Sequence, residues 1–135
     1  MDTKSKQMIE EGSELRLQFE KRDGLLPVVV QESSSGDILM IASVNGEALN
    51  QTIKSGKATF WSTSRQKIWV KGETSENALL IEEILVDCDQ DALIYKVTLD
   101  GKGACHTTNK KGSPRKSCFY RKLNTDSLKL EFLEK

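Results

Sequence analysis

Histidine occurs once in these 135 residues, as His106, proline occurs twice, and the 20 acidic residues cancel the 20 basic ones. Each scarcity excludes something. A neutral chain lacks the basic surplus on which general nucleic-acid affinity rests, so no nucleic-acid partner is expected. No apolar run approaches the length of a membrane span, and the N-terminal "MDTKSKQMIEEGSELRL" has no apolar core of the kind a signal peptide needs. The expectation is a cytoplasmic protein without membrane contact. Cysteine occurs three times, an odd number with no CxxC pair. Reduced thiols of this kind are either buried small residues or metal ligands.

What is present describes one globular domain spanning residues 1–135, with 37% hydrophobic and 30% charged residues. Gly72 to Asp91 holds seven acids (Glu73, Glu76, Glu82, Glu83, Asp87, Asp89, Asp91) and no Lys or Arg, and Lys110 to Lys122 holds six basic residues and no acid. Such runs are either two solvated faces or a cation site and an anion site in one molecule. Residues 1–14 read as a helical lead-in ending near Gly12. "LLPVVVQE" (25–32) and "ILMIASV" (38–44) read as strands about a Ser-Gly turn. A helix starts at Asn45 as N-cap, has Ala48, Leu49, Thr52 and Ile53 as its inner stripe, and ends at Gly56. Residues 57–63, 66–72 and 92–99 read as strands, and 78–87 is ambiguous between strand and helix. "DGKG" (100–103) reads as a turn pairing 92–99 with "ACHTT". Residues 118–123 return as strand, and Leu128, Leu130 and Phe132 alternate as an edge strand. The fold class is α+β, predominantly antiparallel strands with a few helices.

"DCDQDA" (87–92) sets three aspartates at alternate positions around a cysteine. Carboxylates so close repel unless a cation sits among them. On an extended segment Asp87, Asp89 and Asp91 share one face, about 6.6 Å apart, while Cys88 and Gln90 face the other way. A bend then converges the carboxylates on a hard cation; a solvated polar turn is the other account. An EF-hand loop does not fit, because Ala92 takes the glycine position and Thr98 that of the bidentate glutamate. Cys88, Cys105 and Cys118 can supply a tetrahedral zinc with one open position, or be ordinary buried cysteines. On a strand His106 faces away from a zinc held by Cys105 but reaches a substrate as proton donor or acceptor.

Four ordered blocks carry a resemblance. "VNGEALNQTIKSGKATFWSTSRQKIWVKGETS" (44–75), "DCDQDALIYKV" (87–97), "ACH" (104–106) and "SCFYR" (117–121) resemble phosphoribosyl-AMP cyclohydrolase, the histidine-biosynthesis hydrolase. The likeness runs from about residue 15 to 122 and leaves 123–135 as a C-terminal tail. It implies an obligate homodimer with one zinc per subunit, held by Cys88, Cys105 and Cys118 and shared across the dimer. It implies magnesium on Asp87, Asp89 and Asp91, and His106 as the proton-transferring catalytic residue. The substrate, a small-molecule nucleotide, is expected around Trp61, Ser62, Ser64, Arg65, Trp69, Lys71, Gly72, Glu73, Thr74 and Ser75. The implied reaction is hydrolytic opening of the adenine ring of N1-(5-phosphoribosyl)-AMP at the C6–N1 bond.

The chain also departs from the family pattern. "TSEN" (74–77) stands where Thr-Ser-Gly-His is frequent, and Asn77 keeps hydrogen bonding without proton shuttling near neutral pH. "STSR" replaces Ser-Arg-Ser-Arg and removes a cation. The inserted "NKKGSPRK" is expected to restore positive charge through Lys110, Lys111, Arg115 and Lys116. A fused pyrophosphohydrolase domain is not expected. The alternative to the enzyme is a catalytically inactive, zinc-stapled homodimeric nucleotide-binding domain.

Overall fold

Two apolar, β-branched runs separated by Ser33–Gly36 open the sheet. The computed structural model describes residues 2–72 and 77–133. In it these runs are β1 (Leu26–Glu32) and β2 (Ile38–Val44), an antiparallel hairpin. Leu26, Val28 and Val30 alternate inward and are fully buried. Ahead of them lie α1 (Thr3–Glu11), capped by the Asp2 side chain on the Ser5 N–H, and a short 3₁₀ turn, Phe19–Arg22.

Helix α2 (Gly46–Ser55) follows its local chemistry closely. The Asn45 side chain accepts a hydrogen bond from the Ala48 N–H at 2.8 Å, and Gly56 closes the helix in the left-handed conformation at φ 74°. Ala48, Leu49 and Thr52 are buried, but Ile53, expected on the same stripe, is 58% exposed. The Thr52 hydroxyl is tied to the Ala48 and Thr59 carbonyls and accepts from the Thr59 N–H, which locks α2 onto the next strand.

The remaining strands of the sheet are β3 (Thr59–Ser62), β4 (Lys67–Val70), β5 (Ala78–Val86) and β6 (Leu93–Asp100). The ambiguous run 78–87 is strand because it pairs along its length with β6. The order is β4-β3-β2-β1-β6-β5, antiparallel throughout except for β1 and β6, which run parallel from Val28↔Leu93 to Glu32↔Val97. The sheet curls: Ala58 N–H donates to Leu79 O and Ile81 N–H to Gly56 O, so the chain leading into β3 meets the start of β5. The fold is thus α+β with a mostly antiparallel sheet. Among the described residues no helix is long and apolar enough to cross a membrane.

Two expectations need correction. Residues 104–108 do not return along β6. Instead Ala104 N–H donates to Lys116 O and Cys105 N–H to Arg115 O, because Gly103, whose missing Cβ would collide with the Arg115 carbonyl, lets residues 115–116 close in. The C-terminal strands also do not join the main sheet. β7 (Arg121–Asn124) and β8 (Lys129–Phe132) pair with each other as a separate ribbon.

The core is centred on Phe60 and Tyr95, whose rings stack at 6.0 Å. Burial pushes the Tyr95 phenol up to about 12, and among the described residues its oxygen has no hydrogen-bond partner, the nearby Thr52 hydroxyl being engaged elsewhere. An unpartnered buried hydroxyl opposes folding. Tyr95→Phe is therefore expected to leave stability unchanged or raise it by up to about 1 kcal/mol. Asn45→Ala should lower it by about 1 kcal/mol. Urea unfolding of both variants is the check, and a Tyr95→Phe loss above about 2 kcal/mol would refute the first.

Candidate active site

Strand alternation does not continue past Val86. Gln90 N–H donates to Asp87 O, Gln90 sits at φ 57°, and Asp87 N–H donates to Ala92 O, so residues 87–92 form a tight turn. Asp87 Oδ1 staples it by accepting the Asp91 and Ala92 N–H groups at 2.8 and 3.1 Å. The expectation that Cys88 faces away from the aspartates is overturned. Its sulfur lies with carboxylate oxygens of Asp87 and Asp89, all within 4.8 Å of one another, a possible metal-binding group. Gln90 does turn inward. Its amide donates to Ile9 O and Glu14 O and accepts from Arg16 N–H, strapping the N-terminal segment onto the turn.

Basic residues that the sequence did not single out complete this end. Lys21 Nζ lies 3.0 Å from Asp89 and 2.8 Å from Asp91, and Arg22 Nη2 lies 3.0 Å from Asp91, whose side chain is only 6% exposed. The Lys21 hydrogen bond, with the Arg22 charge behind it, holds the Asp91 carboxyl far below the usual range. Burial raises that of Asp87. No sequence signal links Lys21 to residues nearly seventy positions away.

Cys105 and Cys118 meet elsewhere. Cys118 N–H donates to Leu39 O at 2.7 Å and the Ser117 hydroxyl to Ile38 O at 2.6 Å, which anchors this segment on the start of β2. Burial acts to raise the Cys105 thiol. The Thr107 hydroxyl and N–H, at 3.0 and 3.4 Å, together with the Cys118 thiol and the Arg115 charge, outweigh it and lower the thiol below its ordinary value. Arg115 Nη1 donates to Thr107 Oγ1, which leaves that hydroxyl's hydrogen for the sulfur. Burial and the neighbouring Cys105 push the Cys118 thiol up to about 11. A lowered thiol beside a second sulfur is a soft donor pair suited to zinc. The aspartates are hard oxygen donors suited to a cation such as Mg²⁺, although Lys21 already engages two of them.

An open cavity of about 780 Å³ joins Cys118, the neighbour of Cys105, to the expected substrate block. Ser62, Ser64, Arg65, Trp69, Lys71, Gly72, His106 and Cys118 line it, together with Met40, Ile68 and Ala104, which sequence reasoning did not name. Trp69 is braced against Phe60 at 5.0 Å. Trp61 is not part of the lining; it is half-buried and paired with Ile68 and Ser43. Glu73, Thr74 and Ser75 lie outside the described residues. Asn77 accepts a hydrogen bond from the Lys102 N–H, fastening the start of β5 to the turn ahead of Gly103.

A family model for phosphoribosyl-AMP cyclohydrolase matches residues 40–120, a span holding the cavity lining, the cysteines and the aspartates. The chain belongs to the phosphoribosyl-AMP cyclohydrolase family. Phosphoribosyl-AMP cyclohydrolases of Solibacter usitatus and Hyphomonas neptunium are 44% and 47% identical to it, over 86% and 84% of this chain and 87% and 81% of theirs. That of Desulfotalea psychrophila is 44% identical over 87% of this chain and 88% of its own. As a cyclohydrolase the protein is an enzyme, a hydrolase of histidine biosynthesis acting on a small-molecule nucleotide.

Much of the basic run serves the fold. Lys116 pairs with Glu32 and with Asp37 at 2.9 Å, and Arg115 lies over the Tyr120 ring at 4.1 Å. Lys110 and Lys111 are exposed. Hydrogen bonds from Lys116 hold the Glu32 and Asp37 carboxyls below their ordinary values. Lowered carboxyls contribute stability that is present above the unfolded pKa of about 4 and lost as pH falls below it. Lys116→Met is therefore expected to lower the melting temperature at pH 7 and to change it little at pH 3. Equal losses at both pH values would refute the assignment.

Proposed function

We propose that the protein hydrolyses N1-(5-phosphoribosyl)-AMP at the C6–N1 bond in a zinc site completed by a second copy of the chain. The separation of the three cysteines carries this reading. Cys88 precedes β6 and Cys105 follows it, and at about 3.3 Å per residue the eight residues of the strand span roughly 23 Å. Cys105 adjoins Cys118, which lines the cavity, while Cys88 stands at the other end of the sheet. One chain cannot bring them to one ion, but two related by a twofold axis can. Exposed apolar side chains flank both halves of the cysteine set: Leu85 and Val86 before Cys88, and Phe119 after Cys118. Apolar surface of this kind suits a subunit interface.

In this reading Cys105 and Cys118 of one subunit and Cys88 of the other would hold zinc, which would supply Lewis-acid activation of water near neutral pH. The chain's own residues do the rest. Trp69 offers the purine an aromatic face, and the Ser62 and Ser64 hydroxyls offer hydrogen bonds to ribose. Arg65 and Lys71 pair with phosphate. As oxygen adds at C6 and the C6–N1 bond breaks, N1 must receive a proton; His106, exposed on the cavity wall, delivers it. Asp87, Asp89 and Asp91 would hold a divalent cation, which would supply positive charge toward a phosphate. The domain works as a single unit over residues 1–135.

Ultraviolet-monitored ring opening by zinc-loaded protein with Mg²⁺ is the direct test, and Cys105→Ser is expected to abolish both turnover and zinc retention. A zinc-loaded dimer that leaves the substrate intact would favour the non-catalytic binding domain instead. Sharing has its own signature. Cys88→Ser and Cys105→Ser subunits are each inactive alone. Mixed in equal amounts and allowed to exchange, they regain about a quarter of wild-type activity, since half the dimers carry one intact site. No recovery despite proven exchange would place each zinc within one chain.

A further inference from the structure

We propose that Lys21 competes with the divalent cation for the aspartate turn and so sets this protein's cation affinity; the inference rests on the reading of Asp87, Asp89 and Asp91 as a cation site. The Lys21 ammonium bridges two carboxylates, 3.0 Å from Asp89 Oδ2 and 2.8 Å from Asp91 Oδ2. A divalent cation bound by those same oxygens, at about 2.0–2.6 Å, needs nearly the same point in space. The two positive groups exclude each other there.

Arg22 plays a different part. Its Nη2 reaches Asp91 Oδ2, but its Nε donates to the Asp91 backbone carbonyl at 2.9 Å, so the guanidinium grips the main chain and remains while the cation enters. Lys21 has no such second anchor. Among the described residues its ammonium touches only the two carboxylates, its side chain is 53% exposed, and its stem leaves a four-residue 3₁₀ turn at the surface. The half-exposed ammonium regains its hydration on release, so the cost of release is the loss of its pairing with Asp89 and the buried Asp91, which the cation must outcompete. Asp87 Oδ1 and Gln90 meanwhile hold the turn's shape through backbone bonds that do not involve Lys21. Binding is therefore an exchange, cation in and ammonium out, and the apparent affinity falls by the fraction of molecules in which Lys21 occupies the site.

Mn²⁺ binding to the full-length zinc-loaded protein, followed by electron paramagnetic resonance and calorimetry, tests this without recourse to turnover. Lys21→Met is expected to bind Mn²⁺ at least tenfold more tightly than wild type, and Lys21→Arg no more tightly than wild type. Lys21→Gln is read in the same way if the methionine variant folds poorly. Unchanged or weaker binding in Lys21→Met overturns the competition. Asp89→Asn separates the two layers. If it abolishes Mn²⁺ binding while Lys21→Met leaves affinity unchanged, only the competition fails. If it leaves Mn²⁺ binding intact, the cation-site reading fails and the competition with it.

Discussion

Strands β1 and β6 lie side by side in parallel over five residue pairs, the one parallel joint in an otherwise antiparallel sheet. Parallel strands share a starting end. The segment that enters β1 therefore meets the segment that enters β6, which puts Lys21 and Arg22 against Asp89 and Asp91 across nearly seventy residues of sequence. The finishing ends come together at the far side of the sheet, where Glu32 and Asp37 receive Lys116 and the start of β2 receives Cys118.

The two ends carry opposite chemistry. At one, hard carboxylates are crowded into a turn by backbone N–H groups and neutralised by ammonium and guanidinium. At the other, two thiols are brought together by a glycine that admits a neighbouring strand-like segment, and one of them is lowered by a threonine hydroxyl that an arginine orients. A cavity walled by Trp69, Arg65 and Lys71 lies at the thiol end. Cys88 is the member set apart, its sulfur among carboxylates.

The ends of helix α2 were readable, since its N-cap Asn45 and closing Gly56 act within a few positions of the helix, whereas Ile53 on its expected inner stripe is exposed. Most strands of the main sheet were readable for the same reason, their alternation being a local property, but 78–87 was ambiguous and only its pairing with β6 decided it. Errors arose where a strand-like segment has more than one candidate partner. "ACHTT" was matched to the strand just before it, yet residues 104–105 bond to 115–116. The tail was assigned to the sheet edge, yet β8 prefers β7, its nearer neighbour.

Residue types alone determined the chemistry available to this protein: three thiols, three clustered carboxylates, one histidine and a tryptophan-rich, cationic block in an order specific enough to mark the family. Only the tertiary structure decided which of them meet. It joined Cys105 to Cys118, set Cys88 apart, gave Lys21 to the aspartates and brought His106 to the cavity of Arg65 and Trp69. The reason is that side-chain chemistry is a property of each residue, whereas proximity depends on the direction in which two strands, more than sixty residues apart, happen to pair.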